Sequence, residues 1–360
     1  MGKLPLSARA IGWGILGTGA AAEEFATGLR HAGDSELVAV GSRSEEAGRR
    51  FAGASGARRA WASYEDLVKD PQVDVVYIAS PSFLHREHCL LALRAGKAVL
   101  CEKPFAMSAD EAREVISFAR QRRLFCMEAM WMHFLPGMRR AIELVRGGAI
   151  GEPRALIADF GFPTAYDAQS RFYSPALGGG ALLDRGVYPL SLAWQLFGRP
   201  VEVEARCAQA PTGVDEHTAA ILKYPAGQIA MLSATLVGYG GNEATILGTA
   251  GRITIHEPLC RPDMLTVSHA PREGTGRGGG RLSSLKHRLR SNALVRRLRR
   301  LLPGRTRSVH VPYVGNGYNY EADEVVHCLR SGATESSLWS LDHTAGVMAT
   351  LDLVRARCAA

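Results

Sequence analysis

Residues 11–43 constrain the fold of this chain more than any other stretch. An apolar run leads into the turn GTGAAA at 17–22, a helical pattern follows, and a second apolar run ends the unit. This order of strand, glycine turn, helix and strand, with the form G-x-G-x-x-A, is typical of dinucleotide-binding folds. Gly17 permits the tight turn, Gly19 lets the backbone approach a pyrophosphate, and Ala22 lets the helix pack closely on the strand. Free N–H groups at the helix start would hold the phosphates.

The end of the second strand bears on which dinucleotide binds. It reads Gly41-Ser42-Arg43, where an NAD enzyme usually has Asp or Glu to bind the ribose 2′-hydroxyl. A carboxylate would repel a 2′-phosphate, whereas Ser42 can donate a hydrogen bond to it and Arg43 can pair with it or stack on adenine. We therefore expect NADP, with NAD as the second choice. The alternative for Arg43 is a solvated arginine in a turn.

Two further strand ends should border the same crevice. The buried run at 73–79 leads into Ser80-Pro81 and His85, and the run at 98–101 leads into Glu102-Lys103-Pro104. Ligands bind outside the carboxyl ends of parallel strands, which places Lys103 within reach of a nicotinamide. His85 would either contact the cofactor or make only local hydrogen bonds at its helix start. The predicted cofactor-binding residues are Gly17, Thr18, Gly19, Ala20, Ala21, Ser42, Arg43, Ser80, Pro81, His85, Glu102 and Lys103.

The composition is that of an ordinary globular protein. With 360 residues, 46% of them hydrophobic and 22% charged, the chain can form two domains with a substantial core. No apolar run approaches the ~20 residues that span a bilayer, and the first ten residues contain no signal-like apolar core, so we expect a cytoplasmic protein. The seven cysteines are scattered without a C-x-x-C pair, which indicates reduced thiols and predicts no metal site.

The hydrophobic pattern changes near residue 136. Before it, strands alternate with helices, one of which, at 108–122, begins with a capping box of Ser108 and Glu111. After it come period-2 strands at 154–162, 201–208, 217–224, 228–237, 242–248 and 251–256, and then helices near 320–329 and 341–357. We predict an α/β protein with a Rossmann domain at 1–136, built on a doubly wound parallel sheet, and an α+β domain at 137–360 with an open, mainly antiparallel sheet.

The stretch GGGALLDRGVYPL at 178–190 precedes most strands of the second domain. Asp184 and Tyr188 are four residues apart, so on a helix they share one face. Pro189 lacks an N–H to donate to a carbonyl four residues back, which predicts a kink or a restart of the helix.

Together these motifs resemble the glucose-fructose oxidoreductase, inositol dehydrogenase and rhizopine catabolism family (Gfo/Idh/MocA). The resemblance covers about residues 10–262 and 308–357. MEAMW at 127–131 and the stretch at 178–198 are most similar to the branch with dimeric trans-dihydrodiol dehydrogenase and glucose-fructose oxidoreductase, although that branch often has arginine where His133 stands. The resemblance implies a cofactor held between two domains, a homodimer through the C-terminal sheet, and hydride transfer at a secondary carbinol of a sugar, polyol or trans-dihydrodiol.

The resemblance also implies roles for individual residues. Lys103 matches the catalytic lysine, Tyr188 the acid/base position, where much of the family has histidine, and Asp184 the helper carboxylate. We expect Tyr188 to exchange the proton while Lys103 lowers its pKa and binds the substrate oxygen, and Asp184 to hold the pair. Lys103 acting directly as the acid is the rival, and the structural alternative makes Tyr188 a packed core residue and Asp184 a cap. Trp131 and Phe162 are the predicted substrate contacts.

The basic character of the chain comes from one segment. Residues 272–307 hold twelve Arg or Lys and one acid, a local charge of +11, so the rest of a chain with a total of +8 sums to −3. After a glycine-rich start, apolar residues recur at roughly helical spacing among the arginines. A basic amphipathic helix can lie on an anionic membrane, bind nucleic acid nonspecifically or dock on an acidic partner. The alternative is a solvated insertion in a sheet-edge loop, and specific nucleic-acid binding is not expected.

The leading prediction is an NADP-dependent oxidoreductase acting on a small polyhydroxylated substrate. A non-catalytic sensor on the same fold, using bound dinucleotide as a signal, is the alternative from another class, and a peripheral membrane scaffold is a third. The presence of Lys103, Asp184 and Tyr188 together argues against the sensor.

Overall fold

The computed structural model describes residues 9–270 and 306–358, which form two β-sheets with associated helices. The interpretation of the basic segment at 272–307 lies outside the described residues, except that Thr306 and Arg307 begin the last strand. Within the described ranges, no helix combines the length and apolar character needed to cross a bilayer.

The first sheet is parallel throughout. Its strands are β1 (Ile11–Leu16), β2 (Ser35–Gly41), β3 (Arg59–Trp61), β4 (Val75–Ile78), β5 (Ala98–Glu102) and β6 (Cys126–Ala129). Their order, β3-β2-β1-β4-β5-β6, is the doubly wound order of dinucleotide-binding domains. Every residue of β1, β4 and β5 is buried, as expected for apolar runs covered by helices on both faces. The predicted Rossmann sheet is confirmed.

Serine caps fix the starts of three helices around this sheet. The helices around it are α1 (Ala20–Leu29), α2 (Glu45–Ser55), α3 (Tyr64–Lys69), α4 (His85–Arg94) and α5 (Ala109–Arg122), and the next helix, α6 (Pro136–Arg146), packs on the second sheet. Ser44, Ser63 and Ser108 each accept a hydrogen bond from an N–H three residues on. At α5 the bond from the Glu111 N–H confirms half of the predicted capping box, but the Glu111 carboxylate accepts from the N–H of Met107, one residue before the cap.

The second sheet is open and mainly antiparallel, as predicted. Its strands are β7 (Pro153–Gly161), β8 (Glu202–Gln209), β9 (Asp215–Lys223), β10 (Ile229–Thr235), β11 (Ala244–Gly248), β12 (Gly251–Ile255), β13 (Met264–His269) and β14 (Thr306–His310). The order is β14-β13-β12-β11-β7-β10-β9-β8, and only β7 and β10 run parallel. The sequence prediction does not include β13 and β14. Edge strand β14 is mostly exposed and has no alternating apolar signal, whereas β13 does alternate, with Leu265 and Val267 buried, and was missed.

The remaining helices lie in the second part of the chain. A π-helical segment (Leu182–Gly186) leads into α7 (Val187–Phe197), and α8 (Tyr318–Ser331) and α9 (Leu341–Cys358) follow the second sheet. α8 packs on α1, while α9 packs on both β8 and α5. The Asp352 carboxylate of α9 accepts a hydrogen bond at 2.7 Å from the N–H of Ala109 at the start of α5. The predicted boundary at residue 136 falls at the start of α6, and the division into two domains stays a prediction.

Candidate active site

The glycine turn has the geometry that a pyrophosphate site requires. Gly17 has φ +109°, and a Cβ there would come within 2.7 Å of the Ala79 carbonyl oxygen. Gly19 caps α1 without a side-chain hydrogen bond, and a Cβ there would meet nothing within 4 Å. Thr18, Gly19, Ala20 and Ala21 are exposed or half-buried, so the helix start faces open space. These residues fit a dinucleotide, whose phosphates the free N–H groups would bind.

Ser42 and Arg43 follow β2 beside this turn. Ser42 is buried, and its Oγ accepts a hydrogen bond at 3.2 Å from the N–H of Ser44, which leaves the Ser42 hydroxyl proton free to donate. Arg43 is exposed. The strand end therefore offers a hydroxyl and a guanidinium to a ribose substituent.

His85 is held inside the protein. Its Nδ1 lies 2.8 Å from the Pro104 carbonyl oxygen and its Nε2 lies 2.9 Å from the Ser80 carbonyl oxygen. Burial lowers the pKa of His85 to about 4, so the ring is neutral and only one nitrogen can donate at a time. The ring therefore donates one local hydrogen bond, to the Pro104 or to the Ser80 carbonyl, as expected from the alternative, and it packs between the Ser80-Pro81 loop and Pro104. Pro81 itself is exposed at the crevice.

The Glu102-Lys103-Pro104 turn directs its first two side chains differently. The carboxyl of Glu102 points inward, where it accepts hydrogen bonds from the Tyr77 hydroxyl and, at 3.0 Å, from the N–H of Lys103. Burial raises the pKa of Glu102. The Lys103–Pro104 peptide is cis. Both carboxyl oxygens of Glu102 are thus used within the protein, and Lys103 is the side chain of this turn that reaches the site.

Lys103, Asp184 and Tyr188 meet between the two sheets. The Lys103 Nζ donates at 2.7 Å to the main-chain oxygen of Asp184 and lies 3.4 Å from its Oδ1. The same Nζ lies 4.8 Å from the centroid of the Tyr188 ring. The helix changes from π to α at Gly186, three residues before Pro189, where the sequence predicts a kink or a restart. The Lys103 ammonium therefore lies against the Tyr188 ring, and Asp184 holds the ammonium in place.

Three cations surround the Asp184 carboxylate. Lys103 and Arg171 lie 3.4 and 3.2 Å from Oδ1, and the Arg185 Nε lies 3.6 Å from Oδ2. Burial, the strongest single influence, opposes ionisation of Asp184, but the three cations together lower its pKa below the usual value. Asp184 is therefore an ionised anchor with a surplus of positive charge around it.

Arg185 is a site residue that the sequence reasoning missed. It is fully buried, and it donates to the main-chain oxygens of Phe162 and Thr235 and to the Thr164 hydroxyl. Its guanidinium carbon lies 3.8 Å from the Phe162 ring centroid. The signal available was a charged residue inside the apolar stretch at 178–190, since a buried arginine needs several acceptors. Arg185 fixes the chain around Phe162 and balances Asp184.

The expectation that Lys103 lowers the pKa of Tyr188 is wrong for this structure. Burial raises the pKa of Tyr188 well above its usual value, and the only hydrogen bond to its hydroxyl among the described residues comes from Trp131 Nε1, at 3.0 Å. The Lys103 ammonium lies over the ring face and not beside the hydroxyl. Tyr188 is therefore a neutral phenol at neutral pH, and its proton has no acceptor in the described part of the chain.

The two predicted substrate contacts differ in exposure. Trp131 is buried, stacks on Tyr318 with centroids 4.8 Å apart, and uses its N–H for Tyr188. Phe162 is 43% exposed and packs edge-on against Phe160. Phe162 thus presents a free ring surface next to the site, whereas Trp131 mainly positions Tyr188.

His133 is buried behind the helix that carries Tyr188. Its Nε2 lies 3.0 Å from the Ser191 Oγ, which donates to the Tyr188 main-chain oxygen at 2.8 Å. The ring stacks on Trp339 with centroids 4.2 Å apart, and burial lowers the pKa of His133 to about 3. His133 therefore supports α7 and reaches neither a substrate nor a surface.

Family comparisons match both parts of the chain. Residues 11–130 match the oxidoreductase family with an NAD-binding Rossmann fold, and residues 138–254 match the GFO/IDH/MocA C-terminal domain. The chain is 33% identical to trans-1,2-dihydrobenzene-1,2-diol dehydrogenase of Xenopus tropicalis over 94% of this chain and 96% of that protein. The enzyme of the same name from Mus musculus is also 33% identical, over 91% and 90% of the two chains.

Solved structures share the fold over almost the whole chain. Aldose-aldose oxidoreductase from Caulobacter crescentus superposes with a TM-score of 0.81 at 24% identity, covering 98% of both chains. A 3-ketoreductase from Actinomadura kijaniata, solved with NADP and TDP-benzene, superposes with a TM-score of 0.79 at 24% identity, covering 97% of this chain and 98% of that chain. With both domain matches and relatives at one-third identity over more than nine-tenths of its length, this chain belongs to the GFO/IDH/MocA family and is an NAD(P)-dependent oxidoreductase.

Proposed function

We propose that this protein transfers a hydride between NADP and a secondary carbinol or ketone of a sugar, polyol or trans-dihydrodiol. One observation carries the proposal: the Lys103 ammonium lies 4.8 Å above the Tyr188 ring and is held by Asp184, beside the crevice of a dinucleotide-binding sheet. Relatives named for a dihydrodiol substrate support the chemical class.

The preference for NADP is inferred from the end of β2. Ser42 keeps a hydroxyl proton to donate and Arg43 is exposed, and no carboxylate follows the strand where one would repel a 2′-phosphate. The residues that would hold the cofactor are those of the turn at 17–21, Ser42, Arg43 and the loop at 80–81. When bound, the cofactor supplies or accepts the hydride, and the protein supplies the proton route and the orientation.

Lys103 and Tyr188 each retain a proton that no described residue accepts. Lys103 uses two of its three ammonium hydrogens on Asp184, which leaves the third for the substrate. The Tyr188 hydroxyl accepts from Trp131 and keeps its own proton. A neutral phenol is a proton donor, so Tyr188 can protonate the oxygen formed when a ketone is reduced, while Lys103 binds that oxygen electrostatically. Lys103 acting directly as the acid remains the rival.

The function is tested by assaying turnover with NADP and with NAD over sugars, inositols and trans-dihydrodiols. We expect turnover with at least one of these classes and a higher kcat/KM with NADP. Tight NADP binding without turnover of any of them would favour the non-catalytic sensor. Turnover only with NAD would overturn the cofactor preference and leave the reaction class intact.

We also propose a homodimer through the open face of the second sheet. Ile221, Met231 and Ile157 lie side by side on β9, β10 and β7, and their side chains are 52%, 39% and 46% exposed. Such a row of apolar side chains on an uncovered sheet is suited to a second copy of the same surface.

Two further proposals rest on composition. All seven cysteines are unpaired thiols, which suits a reducing cytoplasm. The +11 charge of residues 272–307 suits an anionic membrane surface or an acidic partner. Cosedimentation with anionic lipid vesicles, comparing the full chain with one lacking 272–307, tests the membrane interaction, and equal recovery would exclude it.

A further inference from the structure

A second histidine of α4, His88, lies between the carboxyl ends of β2 and β4. Its ring is buried, its Nδ1 lies 2.8 Å from the Ser80 Oγ, and it meets the Tyr64 ring edge to face with centroids 4.8 Å apart. Tyr64 in turn packs on the end of β2, since a Cβ added at Gly41 would come within 3.2 Å of the Tyr64 Cδ1. The His88 ring is therefore fixed beside the strand end from which Arg43 projects.

The charges around His88 come from three elements. The charged or titratable groups that face it are Arg43 after β2, Tyr64 and Glu65 of α3, and Glu87 and His85 of its own helix. Burial lowers the pKa of His88 and so does Arg43, while the two glutamates oppose them. His88 is therefore neutral at neutral pH. Within 9–270 and 306–358, neither the His88 Nε2 nor the Arg43 guanidinium has a hydrogen-bond partner, so both can take a ligand.

We propose that His88 and Arg43 together bind the 2′-phosphate of the adenosine ribose, and that the His88 ring takes up a proton as this phosphate binds. The inference rests on the proposed function, because NAD lacks that phosphate. In this fold the ribose 2′ position lies at the end of the second strand, where Arg43 stands, and the Tyr64 ring connects His88 to that strand end. The bond to Ser80 holds the ring so that a single nitrogen, Nε2, is left for the ligand.

The proton uptake follows from the charges. Without a ligand, burial and Arg43 both disfavour a positive charge on His88, Arg43 because two cations would stand together. A phosphate placed between them reverses the balance, since an anion favours the charged form of an imidazole. A neutral 2′-hydroxyl cannot do so. His88 thus adds a second cation for NADP and remains neutral with NAD, which makes the protonation itself a means of discrimination.

The test is calorimetric titration of the full chain with NADP and with NAD. It is done at about pH 7.5, where a phosphate with a pKa of about 6 is already a dianion, in two buffers with different heats of ionisation. The wild type should take up protons on binding NADP and none on binding NAD. His88→Asn, whose amide can still bond to Ser80, should lose this uptake and bind NADP about tenfold more weakly, with NAD affinity unchanged.

His343→Asn is the matched control. His343 is a half-buried histidine of α9 whose Nδ1 also lies 2.8 Å from a serine Oγ, that of Ser340. Its replacement should change neither affinity. A wild type that binds NAD as tightly as NADP would contradict the cofactor preference of the proposed function. If the wild type prefers NADP and His88→Asn keeps both this preference and the proton uptake, the role of His88 is overturned and the proposed function stands.

If His88→Asn fails to fold, the measurement on the wild type still tests the proposal. At this pH an NADP-specific proton uptake has to come from a group on the protein, so its absence in the wild type overturns the proposal. If the uptake is present, His88→Gln should abolish it, which assigns the proton to His88.

Discussion

The cofactor half and the reacting half of the active site are built differently. The cofactor half, at 17–22 and 42–43, uses main-chain N–H groups, small residues and the exposed Arg43 of one strand-helix-strand unit. The reacting half joins Lys103 to Asp184, 81 residues further along the chain, and depends on buried charged and polar side chains. Substitutions that add atoms should therefore disrupt the first half, whereas substitutions that remove a side-chain group should disrupt the second.

This difference separates what each half controls. Small residues and main-chain groups bind whatever carries a pyrophosphate, so changes there should alter affinity. Buried ionisable groups set proton transfer, so changes among them should alter turnover and its pH dependence. Variants of each kind should therefore affect different measured quantities.

The largest effect is expected for Lys103→Met. The substitution removes the ammonium that binds the substrate oxygen and leaves Asp184 without one of its three cations. We expect kcat to fall by about 10³-fold or more, since both proton transfer and charge stabilisation are lost. Cofactor affinity, measured by fluorescence titration, should change little. Lys223→Met, which removes an exposed lysine paired with Glu202, is the control. Near-normal turnover in Lys103→Met would contradict the assignment.

Tyr188→Phe should cost about 10²-fold in turnover, because a positioned proton donor is lost while the ring over which Lys103 lies is kept. Since burial raises the pKa of Tyr188, the wild-type phenol stays protonated through neutral pH. Ketone reduction should then keep this donor until alkaline pH, whereas alcohol oxidation, which needs the phenolate, should speed up as pH rises toward that pKa. Rates from about pH 6 to about pH 10 in both directions test this.

Tyr188→Phe should lose the increase of the oxidation rate at alkaline pH. If Tyr188→Phe keeps both near-normal turnover and the wild-type pH profile while Lys103→Met is inactive, Lys103 is the acid.

How much of this site the sequence could predict depends on whether the signal for each residue is local in the chain. Lys103 and Tyr188 could be named because each lies in a local motif, and the structure brings them together. The raised pKa of Tyr188 could not be predicted, because it follows from burial by residues distant in sequence. Arg171 was missed for the same reason, since its contact with Asp184 exists only after folding, whereas Arg185 was missed although its position inside an apolar stretch was a local signal.

The fold shows the same limit. The parallel sheet was predicted correctly because its strands are continuous buried runs. Edge strand β14 was missed because its pairing with β13, and not a pattern of its own, makes it a strand.

Gly17→Ala and Gly19→Ala form a matched pair within the cofactor half. At Gly17 the new Cβ would come within 2.7 Å of the Ala79 oxygen with φ +109°, so we expect a loss of about 2 kcal/mol in the free energy of unfolding. At Gly19 a Cβ meets no protein atom, so thermal stability should stay unchanged while it obstructs the pyrophosphate and weakens cofactor binding about tenfold. Thermal melts and dinucleotide titrations of both variants separate the effects. Equal stability of the two would contradict the strained turn.

The smallest effect on chemistry is expected far from both halves, at Met231 on the open face of the second sheet. Met231→Glu places a charge in the middle of the row formed with Ile157 and Ile221, so burying this face against a second copy would leave that charge unpaired. Sedimentation should show a monomer where the wild type is a dimer, with turnover per chain within about twofold, since the sheet face touches no reacting group. Val314→Glu, at an apolar residue that is 64% exposed in the loop before α8, should leave the dimer intact. A monomeric wild type would remove the dimer proposal, and a Met231→Glu dimer would place the contact elsewhere on the surface.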